Sequence, residues 1–278
     1  MGSKLGPFFA ALVLVVLTPS ALSGWGPEGH EIVAALAQAR LTENARKGIQ
    51  SLIGEASLAS VANWADEVRP QRDETYNWHF VDIPMDAAGF SEERDCFLPD
   101  SRHKDAATDH HNCIVDRIQM FRYVLSDKNA PKDARAEALK FLVHFVGDIH
   151  QPLHAVGEAA GGNRIAVDQF GSSVCGQHFC NLHGAWDSGL IQHTGMARDQ
   201  YVAHLEKWIA DEHLTAGGNP EDWANESHNY AQMAWLDNGS RIDESYYQKT
   251  IKIVDQRLAL AGLRLAAVLN DCLAQPSD

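Results

Sequence analysis

Past residue 24 the chain has no apolar run of the ~20 residues that a membrane-crossing helix needs. The expected product is soluble, with no membrane anchor. Basic residues are also scarce. Lys and Arg number 23 against 37 Asp and Glu, a net charge of −14. That balance argues against a basic nucleic-acid patch, because phosphates are normally met by Lys and Arg. It does not exclude phosphate substrates, since bound divalent ions can be the largest local charges and reverse the local sign. No repeat of 20–50 residues and no low-complexity tract occurs. Gly161-Gly162-Asn163 has no Lys-Ser/Thr after it, so a nucleotide-binding glycine loop is not supported. What remains is ordinary globular composition, 45% hydrophobic and 22% charged, enough for one substantial core or two small ones.

Residues 1–24 read as a secretory signal peptide rather than fold. Lys4 supplies a basic start, Phe8 to Leu17 an apolar stretch, and Ala21 to Gly24 small residues. Cleavage after Ser23 and after Gly24 both fit, and the spacing of Ala21 and Ser23 favours the first. Export permits disulfides. Of the five cysteines, Cys175 and Cys180 bracket a short loop, and Cys96 with Cys113 would close a second. Cys272 is left unpaired and buried in the last helix. Other connectivities stay open. A Cys–His zinc site in the Cys175–Cys180 loop is the rival, disfavoured because export would oxidise the pair.

The remaining chain, 25–278, reads as one all-α domain with minor short strands. Helices are expected after His30, over Thr42–Ile53, Leu58–Val68, Asp109–Leu125 and Ala134–Ile149. Further ones are expected over Ala197–His213, Pro220–Trp235 and Asp243–Leu273. Pro70 stops the third. Thr75–Pro84, aromatic and β-branched, reads as extended. Residues 85–108 read as a long surface loop, whose length hints at function. Asn225 and Asn238 begin glycosylation triplets, which matter only in a eukaryotic secretory path.

One stretch organises the rest. From Leu139 to Ile149 the sequence is apolar almost all round, which marks a buried helix. It nonetheless carries His144 and Asp148, four apart and so on one face. A buried carboxylate is costly unless it is paired or binds a metal. Pro152 ends the helix and His154 follows on a rigid turn. By itself the stretch fits a satisfied core His–Asp pair as well as a metal site. A second His-x3-Asp pair stands at His183 and Asp187. With His30, Asp66 and His79 the candidates become five histidines and three carboxylates, a donor set suited to zinc. Eight side chains exceed one tetrahedral ion and would serve two or three. The other nine histidines (103, 110, 111, 150, 178, 193, 204, 213, 228) are expected on the surface or in ordinary hydrogen bonds.

In this setting the motifs Trp25-x4-His30, Trp64-Ala-Asp66, Asn77-Trp-His79-Phe80, His144-x3-Asp148-x-His-Gln-Pro-Leu-His154 and Asn181-Leu-His183-x2-Trp-Asp187 carry a resemblance. In order, and over the whole chain from Trp25, they resemble the trinuclear-zinc, single-strand-specific nucleases of the S-one/P-one type. The resemblance implies a mainly helical domain around a trinuclear zinc cleft. It implies a mature chain starting at Trp25, hence cleavage after Gly24, with the Trp25 α-amine and carbonyl as zinc ligands. One zinc would be held by Asp66, His79, His144 and Asp148, and a second by His154, His183 and Asp187. Trp25, His30 and a shared Asp148 would hold the third.

The implied activity is hydrolysis of single-stranded DNA and RNA to 5′-phosphate products, with 3′-nucleotidase activity, by a secreted or periplasmic monomer. Paired zinc ions would lower the pKa of a shared water. Asp66 would orient or deprotonate it, and Arg69 would neutralise the phosphoryl oxygens. Phe80 would stack a base, Asp82 would bond its edge, and Asn163 would help bind the nucleotide. The plainer readings are a surface arginine for Arg69 and core packing for Phe80. A zinc phospholipase C is the enzymatic rival, disfavoured by the short Trp25–His30 gap and by Asp187 where that family has Glu. A non-catalytic secreted zinc-binding helical protein is the other, and it would need neither Arg69 nor Phe80.

Overall fold

The computed structural model describes residues 24–96 and 112–274. The apolar segment Phe8–Leu17, the alternative cleavage position Ser23, and His103, His110 and His111 lie outside the described residues. Helix α1, Pro27–Gln38, begins with proline at a position where a missing N–H costs nothing. Helix α2, Glu43–Ile53, is capped by the Thr42 hydroxyl, which accepts from Ala45 N at 3.2 Å. It ends at Gly54, whose φ of +67° suits glycine.

The expected third helix is broken in two, α3 Leu58–Val61 and α4 Trp64–Val68. The break has a use: the Ala62 carbonyl accepts from His144 Nδ1 at 2.7 Å. Thr75–Pro84 is not one extended run. Residues Asp73–His79 form 3-10 turns, and the chain extends only at Phe80. Strand propensity describes a half-buried pleat. Here Thr75, Asn77, Trp78 and His79 are all buried, and core packing sets the backbone instead. A one-turn helix, α5 Glu92–Asp95, interrupts the expected surface loop.

Helix α6 is Ile114–Ser126; Cys113, bonded to Cys96, is its extended N-cap, and residues 109–111 of the expected helix lie outside the described residues. Helix α7, Lys132–Asp148, is the central one. From Phe141 to Asp148 every residue is buried. Strands are short: β1 Val167–Gln169, β2 Val174–Cys175 and β3 His178–Phe179. β2 and β3 form a hairpin closed by the Cys175–Cys180 disulfide. Helix α8, Leu182–Gly184, continues through a π-helical turn at Ala185–Gly189 into α9, Leu190–His193. Helices α10, Arg198–Asp211, and α11, Pro220–Ala234, follow. Strand β4, Ser240–Ile242, pairs parallel with β1. Helix α12, Glu244–Cys272, is capped by Asp243 and ends the fold with Cys272 buried and unpaired.

The layering follows from α7. Helix α6 packs along one side of it, while α1 lies against both α7 and α12. Phe141 holds the near end, stacked on Phe121 at 4.6 Å and edge-on to Trp64 and Trp78. Helices α11 and α12 grip the turn after α7. Ser227 Oγ donates to Ile149 O at 2.6 Å, and Arg257 Nε to His150 O at 3.2 Å. Arg264 Nη1 meets His150 Nε2 at 2.9 Å, and His150 Nδ1 donates to Val146 O. Both His150 nitrogens are thereby used within the fold. Arg257 and Arg264 are buried and share Glu226 as counter-ion. No helix among the described residues is long and apolar enough to cross a membrane. Phe141→Ala is expected to cost about 3–5 kcal/mol, the range for emptying a buried aromatic site, read from the urea midpoint at unchanged slope.

Candidate metal centre

Eight side chains from seven places in the chain converge where α7 ends. His30 comes from α1 and Asp66 from α4. His79 closes the 3-10 turns, and His144 and Asp148 lie on the last turns of α7. His154 follows Pro152, His183 opens α8, and Asp187 sits in the π-helical turn. A π-turn bulges one residue out of helical register, a device common at functional sites. All eight are buried except Asp66, whose side chain is 17% exposed. Asp66 is therefore the edge through which the cluster meets solvent.

Asp148 is the hub. Its Oδ2 lies 3.0 Å from His79 Nδ1 and 3.1 Å from His144 Nε2. Its Oδ1 lies 3.2 Å from His30 Nε2. The two oxygens thus face different histidines. Asp66 Oδ1 stands 3.6 Å from both His79 Nδ1 and His144 Nε2. Asp66 and His144 also come within 4.8 Å of a His30 nitrogen, so the sets adjoin. Gly147 makes the approach of His30 possible, because a Cβ there would stand 2.8 Å from His30 Nδ1.

The second set is His154, His183 and Asp187. His154 Nδ1 donates to His79 O and His183 Nδ1 to Gly161 O, each at 2.7 Å. A neutral imidazole carries one N–H, so both Nε2 atoms then present lone pairs. Those atoms are 3.1 Å apart, and His183 Nε2 is 3.5 Å from Asp187 Oδ2. Lone pairs so close repel unless a cation lies among them. A tetrahedral ion with bonds of ~2.0–2.1 Å sets its ligands ~3.3 Å apart, and these spacings bracket that value. The residues present fit bound metal. The close group Cys96, Cys113 and Asp116 does not, since its sulfurs are joined to each other.

Four of the five histidines are held in the neutral form that a metal needs. Burial pushes His30 down to about 4, and His79 and His183 to about 3, so these rings are neutral near pH 7. His154 is lowered for the same reason. Burial raises Asp66, and it holds Asp187 well above the usual carboxylate range. Burial opposes charge on His144 too, but Asp148 and Asp66 outweigh it and raise that ring to about 9. Asp148 is pulled well below its ordinary value against its burial, by the charge of His144 and the bonds from His144, His30 and His79. On its own, the cluster draws a proton onto His144 to balance its carboxylates.

The other expected site residues are placed unequally. Arg69 is buried, not a surface arginine; it donates to Tyr76 O at 3.0 Å and lies over the Tyr76 ring at 4.4 Å. Burial lowers its pKa, against the pull of Asp66. Tyr76 in turn meets the Phe80 ring edge-on at 6.0 Å. Phe80 is only partly buried, so it is not a core residue. Asp82 lies two residues on, its carboxyl pushed up to about 6 by burial and by Glu158. Asn163 joins none of these; its Nδ2 donates to Ala160 O at 2.9 Å and closes a turn.

Two supports escaped the sequence reading. Gln151, fully buried, donates to Asp187 Oδ1 at 2.6 Å while its own carbonyl accepts from Leu153 N. A neutral amide set between ligand positions in an apolar turn was the available signal. Residues 159–162 form a turn with φ positive throughout, at +47°, +55°, +61° and +82°. Ala159 and Ala160 are strained there, and the turn delivers the Gly161 carbonyl to His183.

The S1/P1 Nuclease family model matches residues 25–274. Endonuclease 2 of Arabidopsis thaliana is 31% identical, covering 90% of each chain. Nuclease S1 of Aspergillus oryzae is 30% identical over 96% of this chain and 97% of its own. Nuclease P1 of Penicillium citrinum is 28% identical over 89% and 97%.

Asp148→Asn keeps the shape but removes the charge that two histidine sets share. It is expected to lower bound metal by at least one ion per chain, read by elemental analysis after dialysis. Full retention would remove Asp148 from a bridging position.

Proposed function

Because the chain belongs to the S1/P1 nuclease family, we propose that it is a secreted, zinc-dependent endonuclease and 3′-nucleotidase. Its substrates are single-stranded DNA and RNA, and its products carry 5′-phosphates. The observation that carries the reading is the eight-residue donor cluster with Arg69 and Phe80 at its border. The family uses metal ions. Here Asp66, His79, His144 and Asp148 would hold one zinc, and His154, His183 and Asp187 another. His30, Asp148 and the Trp25 amine and carbonyl would hold a third. Gly24 lies against Asp148 and His154, so cleavage after Gly24 would leave the new amine beside that carboxylate. Bound zinc supplies Lewis acidity, polarising the phosphodiester and acidifying water.

The remaining chemistry belongs to side chains. Asp66, at the solvent edge, orients the attacking water and accepts its proton. Arg69 stays protonated near neutral pH and gives its charge to the phosphoryl oxygens as the 3′ oxygen leaves. Its guanidinium is held in place by Tyr76. Phe80 stacks a base beside the scissile phosphate, which requires a base free of a duplex. Asp82 accepts an N–H from that base, and Asn163 shapes the loop beside it. Polar recognition of this kind suits a nucleotide better than a choline lipid.

The test is a substrate panel. Zinc-loaded protein beginning at Trp25 is expected to cleave single-stranded DNA and RNA, leave 5′-phosphate ends and release phosphate from 3′-nucleotides. Cleavage of none of them would end the proposal. Asp82 adds a pH signature. With a pKa of about 6 it is protonated below that pH and an acceptor above it. KM for adenylate or guanylate substrates is therefore expected to fall as pH rises from 5 to 7, relative to Asp82→Asn. Parallel KM profiles would remove Asp82 from base recognition.

A further inference from the structure

Beyond Asp82 the surface opens into a cavity of about 560 Å³ lined by Met85, Asp86, Glu158, Gln232 and Trp235. That volume lies within the ~300–1,000 Å³ typical of small-molecule sites. The chain leads to it from the metal cluster. Val81 N donates to His154 O at 2.9 Å, and Gly157 N to Ile83 O at 3.3 Å. Residues 81–83 therefore run beside the chain that follows His154. Val81 and Ile83 are buried, while Phe80, Asp82 and Pro84 remain partly open. Two residues, Ile83 and Pro84, separate Asp82 from Met85, at most ~11 Å of chain.

The cavity wall is fixed. Met85 N donates to Glu158 Oε1 at 2.8 Å, and Gln232 Nε2 donates to Met85 O at 3.2 Å. With its nitrogen engaged, Gln232 offers Oε1 as an acceptor. Asp86 and Glu158 offer carboxylate oxygens, and Trp235 offers a half-exposed indole. None of the five lining residues is a cation. Arg94, whose charge reaches Asp86, is bound to Asp95 and to Gly89 O. Such a lining repels phosphate. It suits a flat ring with N–H donors at its edge.

We propose that this cavity is a second base subsite, taking the nucleobase next to the one at Phe80, with Trp235 stacking it and the acceptor oxygens meeting its N–H groups. The inference rests on the nuclease reading. It gives the site a preference for strands over mononucleotides and for adenine or cytosine, which carry amino groups, over uracil.

Two variants test it, Trp235→Ala and the surface change Gln232→Ala, which leaves the indole in place. KM is measured for oligoadenylate, oligouridylate and 3′-adenylate. Since one stacked base is worth roughly a tenfold change or more, the ratio of oligoadenylate KM to 3′-adenylate KM is expected to rise about tenfold in Trp235→Ala. In Gln232→Ala a smaller rise is expected, larger for oligoadenylate than for oligouridylate. An unchanged ratio in both variants would overturn the subsite. Anisotropy of a labelled phosphorothioate trinucleotide, measured in parallel, separates the two readings. If the unaltered enzyme turns over nothing, the nuclease reading falls. Binding weakened about tenfold by Trp235→Ala still supports the subsite, and equal binding rejects it.

Discussion

A carboxylate removed from water must be met by positive charge or by several donors, and Asp148 is removed completely. Three histidines surround it, each within 3.2 Å, and they arrive from α1, the 3-10 turns and α7 itself. Helices α1 and α7 cannot separate, nor the 3-10 turns lift away, without leaving that charge alone in an apolar core. The same group that makes the centre chemically useful thus ties the fold together. Its cost is offset only while the surrounding nitrogens are held toward it.

The holding is done by backbone carbonyls and by a layer behind the centre. Ala62, His79 and Gly161 each accept from the Nδ1 of a cluster histidine, fixing the ring and leaving Nε2 for the centre. His79 and His30 are the exceptions: His79 turns Nδ1 toward Asp148 and Asp66, and His30 turns Nε2 toward Asp148 with no carbonyl bond at Nδ1. Every one of those carbonyls comes from an irregular place: a broken helix, the end of a 3-10 run, a left-handed turn. A regular helix or strand would have spent them on its own ladder. Behind them, Glu226 pins Arg257 and Arg264, which lock His150 and so the turn that carries His154. This explains why a histidine so close to the ligands takes no part in the cluster.

Much of this was legible in the residues. The buried character of α7, the His144–Asp148 and His183–Asp187 pairings and the stop at Pro152 follow from periodicity and spacing; the Cys96–Cys113 and Cys175–Cys180 pairs were among the connectivities the spacing left open, and the structure chose them. The departures share one cause. The 58–68 helix broke, residues 75–79 of the 75–84 stretch wound into 3-10 turns, and α6 began at Ile114 behind the disulfide-bonded Cys113, because long-range partners overrode local preference. Gln151 was invisible for a related reason: an amide between two ligand positions reveals no role until its partner, Asp187, is known from 36 residues away.

The sequence by itself determined which groups could bind metal and which helix had to be buried. Residue chemistry and 3.6-residue periodicity are local properties, written in order along the chain. Only the tertiary structure decided that Asp148 divides its two oxygens between different histidines. It alone set the His154 and His183 lone pairs 3.1 Å apart, and it buried Arg69 against Tyr76 instead of leaving it at the surface. Those facts depend on how helices distant in sequence pack together, and packing is settled by shape and by the need to satisfy buried polar atoms, which no local pattern records.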